Sequence, residues 1–172
     1  MGKTVTDLFS NIAYASVTES AANTLTFSEI QTGISVHEKV AWVISRIVWH
    51  IPTSTLILMA AAADGVNMGL VLSNKIDDLE DMADPSLVDN LIVSRHDFGT
   101  GASGYHLFEP IVKDYSALPG KGLIVTPKPL YAACQGISLA TPATVSCRIF
   151  YTTKELAADE FWELVQASRI VQ

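Results

Sequence analysis

The run from Val40 to Ile51, Val-Ala-Trp-Val-Ile-Ser-Arg-Ile-Val-Trp-His-Ile, is the stretch that most narrows what this chain can become. Its β-branched and aromatic residues suit a pleated surface and lose side-chain freedom in a helix. Val40, Val43, Ile44 and Ile47 also obey helical spacing, but the β-branched content favours one long strand, which Pro52 closes. Apolar residues on both faces place that strand in the centre of a sandwich or against another molecule. Trp42 and Trp49 are seven residues apart, so a regular strand sends them to opposite faces.

The rest of the chain is a series of shorter runs separated by Gly, Pro and Ser. Thr24 to Ile30 alternates with Leu25 and Phe27 on one face, and Gly33 ends it. Thr55 to Ala62 and Val66 to Asn74 flank Asp64-Gly65, a dipeptide suited to a tight hairpin turn. Leu91 to Phe98 and Tyr105 to Tyr115 surround a glycine-rich turn, with Pro110 marking a bulge or an edge. Leu123 to Thr126, Pro129 to Gln135 and Ala143 to Thr153 complete about eight strands, the pattern of a mainly β chain folded as an antiparallel β-sandwich. Between them, Lys75 to Asn90 is acidic and reads as an exposed connection. Lys154 to Arg169 is expected to form a short C-terminal amphipathic helix, with Leu156, Phe161, Leu164 and Val165 near one face and acidic residues toward its start. Residues 1–23 read as an N-terminal arm with a few apolar anchors, residues 24–153 as the sandwich domain, and residues 154–172 as a helix packed on that domain or on a neighbouring subunit.

Composition restricts the function classes. Apolar residues make up 49% of the 172 and charged residues 17%, against roughly a quarter charged in an ordinary soluble domain. The apolar excess is best used in contacts between subunits. With 11 Lys and Arg against 18 Asp and Glu the formal charge is −7. The cations are scattered, so no concentrated positive field is available for phosphate and direct nucleic-acid binding is not expected. Neither a signal peptide's apolar run nor a stretch of about 18 apolar residues for a membrane span is found. Met1 to Thr6 matches the N-myristoylation pattern, which is short enough to arise by chance.

No motif points to catalysis or to a resident metal or cofactor. Gly99-Thr100-Gly101-Ala102-Ser103-Gly104 spells the dinucleotide fingerprint, but a strand-like segment follows where the mechanism needs a helix. Gly120-Lys121-Gly122 lacks the spacing and the hydroxyl residue of a phosphate loop. His37, His50, His96 and His106 show no metal-ligand spacing, and His96 and Asp97 are adjacent, which on a strand turns them to opposite faces. Asp77, Asp78, Glu80, Asp81 and Asp84 supply hard oxygens without the periodicity of a calcium loop. Cys134 and Cys147 read as buried free thiols, with a cross-strand disulfide open if their two runs form a hairpin.

Lys121 to Gly136, followed by Ala143 to Thr152, resembles in rhythm the closing strands of small single-jelly-roll virus capsid proteins. That resemblance implies a jelly roll and a structural subunit that assembles with copies of itself, and with other virion proteins, into a virion shell built in the host cytoplasm. It also implies no enzymatic activity and no cofactor. This chain lacks the basic arm many such proteins carry, so genome packaging would need another protein, an internal membrane or a neutralising cation. The alternative is an oligomeric lectin-like or receptor-binding sandwich with its ligand loops at one end, Gly99 to Gly104 among them. The candidate subunit contacts, taken from hydrophobicity, are Phe9, Tyr14, Trp49, Phe161 and Trp162.

Overall fold

The computed structural model describes residues 10–31, 39–59, 61, 63–95, 110–126 and 129–169, with side chains of the last helix as far as residue 166. In chain order these form β1 (Asn11–Thr18), β2 (Thr26–Glu29), β3 (Val40–His50), α1 (Thr53–Leu58), β4 (Gly65–Val71), β5 (Leu87–Ser94), β6 (Ile111–Asp114), β7 (Leu123–Val125), β8 (Tyr131–Ile137), β9 (Thr144–Glu155) and α2 (Ala158–Arg169). The strands make two antiparallel sheets. Sheet A has the order β1-β9-β3-β6, with β7 also on β3, and sheet B has the order β2-β8-β4-β5. β6 pairs with Arg46 to Trp49 and β7 with Trp42 to Ile44, so two short strands share one edge of β3.

The sheets face each other across a core that includes Trp42, Ile44, Ile47 and Trp49 from β3 and Val66, Met68 and Leu70 from β4. Both tryptophans therefore face inward, contrary to the parity expected of a regular strand. The register of β3 on β9 slips between Ile44 and Arg46, which makes Ser45 a bulge residue and resets the alternation. Its polar groups are satisfied there: the hydroxyl donates to the Phe150 carbonyl (3.2 Å), and its carbonyl accepts from the Tyr115 N–H (2.8 Å). Trp42 stacks on Tyr151 with ring centroids 3.6 Å apart.

Regular structure begins earlier than the composition of the first 23 residues suggests. Ala13, Ala15 and Val17 of β1 turn inward, Ile12, Tyr14, Ser16 and Thr18 turn outward, and the strand pairs along its whole length with β9. Small alanines carry the alternation, which is why it reads as an arm.

The expected hairpin about Asp64-Gly65 does not form. Residues after Pro52 turn into α1, where Leu56 and Met59 pack on the core and the buried Thr55 hydroxyl both donates to the Thr144 carbonyl and accepts from the Thr144 N–H, each at 2.9 Å. A short apolar run is compatible with either period, and this anchorage favours the helix. Asp64 caps the turn by accepting from the Ala61 N–H (2.7 Å), while Gly65 opens β4, where a Cβ would lie 2.9 Å from the Val93 carbonyl oxygen.

β5 begins at Leu87, inside the stretch read as a connection, and β9 runs to Glu155, so α2 starts later than expected, at Ala158. The remaining acidic connection is a roof over the outer face of sheet B. Ile76 and Leu79 bury their side chains with Val71 and Ala133 while Asp77, Asp78, Glu80 and Asp81 stay exposed. Asp78, Asp81 and Asp84 each accept from the N–H two residues on, which holds the roof in successive tight turns. Leu79→Ala is expected to cost about 2–4 kcal/mol, and Asp77→Ala less than about 0.5 kcal/mol, when both are compared with the parent by urea unfolding.

Candidate functional site

Two buried carboxylates sit where the edge strands of the two sheets meet. β5 is the last strand of sheet B and β6 the last along the β3 side of sheet A. Asp89 of β5, 7% exposed, crosses that seam. Its Oδ1 accepts from Lys113 Nζ (2.6 Å) and from the Tyr115 hydroxyl (2.8 Å), and its Oδ2 accepts from the Trp49 indole N–H (3.0 Å). Lys113 also donates to the Asn90 carbonyl. Desolvation, followed by the bond to Asp89, raises Tyr115 above the ordinary phenol value.

At the opposite seam, between β1 and β2, Glu19 is 4% exposed and is held by backbone rather than by a cation. Oε1 accepts from the N–H of Thr24 (2.9 Å) and Gly136 (2.6 Å), and Oε2 from the N–H of Ala143 (2.6 Å). A Cβ at position 136 would lie 2.9 Å from Oε2, so the glycine permits the approach. Nearby, Asn23 exchanges two hydrogen bonds with the backbone of Leu139. Both carboxylates are thus engaged by donors, and the arrangement joins sheets.

Cys134 and Cys147 are free and buried, on strands that belong to different sheets rather than to one hairpin. Burial pushes each thiol up to about 12. Neither is poised as a nucleophile at neutral pH.

The largest change of character is on the outer face of sheet A. Two cross-strand rows lie side by side there, Ile12–Phe150–Arg46–Asp114 and Tyr14–Arg148–Val48–Val112. Ile12, Tyr14 and Val112 are more than half exposed. Arg46 pairs with Asp114 at 3.3 Å and lies 5.9 Å above the Phe150 ring, and Arg148 is exposed.

Among the residues expected to make contacts, Tyr14 is on this face at 63% exposure and Trp162 is on α2 at 55%. Phe161 is half-buried against the Trp162 edge. Trp49 is corrected: at 1% exposure, bonded to Asp89, it is a core residue because the Ser45 bulge turned it inward. Phe9, His37, His96, His106 and the 99–104 loop lie outside the described residues; His50 is exposed at the end of β3. Among the described residues no three His, Cys, Asp or Glu side chains group as metal ligands, and no helix is long and apolar enough to cross a membrane.

Sequence reasoning passed over Glu19, Asp89, Lys113 and both arginines of the outer face. Asp89 had a readable signal, an acid inside Leu87-Val88-Asp89-Asn90-Leu91-Ile92-Val93. Comparison with family models, curated proteins and solved structures finds no significant match to this chain.

Asp89→Ala is expected to lower unfolding stability by about 3–5 kcal/mol, since it leaves the Lys113 ammonium partly buried without its counter-charge. Tyr115→Phe, which removes one bond and leaves the ion pair, should cost about 1 kcal/mol in the same denaturation experiment. The raised thiols and phenol bind protons in the folded chain that the unfolded chain releases. For the thiols this stabilisation is complete below their ordinary value and is lost as pH rises toward about 12, and the phenol's is lost at still higher pH. Urea midpoints should therefore fall through the alkaline range, less steeply in Cys134→Ala/Cys147→Ala.

Proposed function

We propose that this sandwich is a jelly roll and that the chain is the repeating structural subunit of a self-assembling shell of the virus-capsid kind. The observation that carries this reading is the order of strand pairing. With β6 and β7 counted as one interrupted strand along β3, the pairs run from the outside of the sequence inward: β1 with β9, β2 with β8, β3 with β6 and β7, β4 with β5. Successive pairs fall alternately in sheet A and sheet B. A long antiparallel ribbon folded once and wrapped around itself has this order, and the jelly roll is that wrapping.

Three further features support the reading. The segments that resemble capsid closing strands are those that form β7, β8 and β9. Apolar side chains stay exposed on the outer face of sheet A and on α2, beyond what the core of one copy uses. The side seams are closed by buried polar groups, so contacts between copies fall to faces, loops and the terminal helix. In a shell, each contact is weak and symmetry multiplies it. The partners are copies of the same chain together with other virion proteins, the location is the virion, and a charge of −7 leaves genome binding to another component.

Light scattering on the purified full-length chain, coupled to size exclusion, checks this. The expected mass is that of an assembly of tens of copies or more, and a stable monomer or trimer across the accessible concentration range would contradict it.

A further inference from the structure

We propose that the exposed face of α2 docks on the outer face of sheet A of a second copy, through an acidic and aromatic stripe set against an arginine-bearing apolar patch. The proposal rests on the assembling-subunit reading and gives it a specific contact.

On α2, Asp159, Trp162, Glu163 and Gln166 are all exposed and follow the i, i+3, i+4, i+7 spacing of one helix face. The adjacent acid Glu160 accepts from the Ala157 N–H (3.2 Å) at the start of the helix. On its other flank Leu164 lines an apolar cleft of its own sandwich with Leu72, Leu87, Val88 and Ile124. Leu164 thus faces its own sandwich, and the outward stripe is left for another molecule.

The outer face of sheet A is complementary in charge and in spacing. Arg46 stands opposite Phe150, and Arg148 opposite Val48, so the two arginines are diagonal neighbours on paired strands. Diagonal neighbours in a sheet are separated by about 7–8 Å, and Asp159 and Glu163, one helical turn apart, by about 6 Å. Two carboxylates on one helix face therefore match two guanidinium groups on the sheet. Trp162 lies beside those acids on the same helix face, and Tyr14, Ile12 and Val112 frame the arginines on the sheet. An indole placed over Arg148 adds a cation–π contact to the buried apolar area. A recess walled by Ser45, Arg46, Asp114 and Phe150 adjoins the patch. Asp114 already pairs with Arg46, but both partners are about half exposed, a setting in which ion pairs hold weakly and exchange readily.

The two surfaces are different, so the contact is heterologous. Each copy offers a helix to one neighbour and a sheet to another, which propagates until the rotation closes. A contact of this kind also weakens with added salt.

The test is a charge exchange in the full-length chain, read by light scattering, with circular dichroism confirming that each variant folds. Arg148→Glu and Glu163→Arg should each weaken association by about tenfold or more, and Arg148→Glu/Glu163→Arg should restore it. Assembly of both single variants at parental concentration would overturn this contact and leave the shell reading standing. Failure of the double variant to recover would also overturn the pairing. A parent chain that is monomeric throughout would overturn both.

Discussion

Two sheets stacked face to face leave seams where their edge strands diverge, and in this chain a buried carboxylate occupies each. Asp89 ties β5 to β6 and β3 through Lys113, Tyr115 and Trp49, and Glu19 ties β1 to the ends of β8 and β9 through backbone N–H groups. The two solutions differ physically. At the first a cation and two neutral donors compensate the charge; at the second the compensation comes from three backbone N–H groups. Burying a carboxylate without such donors would cost far more than the surrounding apolar burial returns. The identity of these donors consequently constrains the bulge at Ser45, the glycine at 136 and the inward turn of Trp49.

Closing both seams determines what remains on the surface. The outer face of sheet B is covered by the acidic roof, with Leu79 and Ile76 beneath it. The outer face of sheet A carries exposed apolar side chains and two arginines, and α2 presents an acidic stripe with Trp162. Opposite charges therefore lie on separate parts of one chain. The proposed contact between copies uses this separation, because like faces repel and unlike faces attract.

Much of the fold was legible because it rests on strong local periodicity. β3, β8 and β9 announce themselves through β-branched and aromatic residues, and the charge order of α2 marks a helix before any partner is known. The misreadings share a cause. In β1 the inward positions are alanines, in β5 the strand contains Asp89 and Asn90, and in α1 a short apolar run fits two periods, so tertiary partners settled each case. The Ser45 bulge had no local signal, yet it decided which faces Trp42 and Trp49 occupy. For the candidate site, exposed Tyr14 and Trp162 were found from hydrophobicity, while the cross-strand neighbours that give them meaning depend on register. Arg46 and Arg148 are 102 positions apart and become diagonal neighbours only through the pairing of β3 with β9.

Electron cryomicroscopy of the purified chain decides whether this sandwich is the unit of a closed shell, as we propose. The expected images are closed particles of uniform diameter whose walls resolve into repeated sandwiches, each touching its neighbours through faces and the terminal helix while its seams stay internal. Fields of single domains, or small oligomers joined through opened seams, would contradict it.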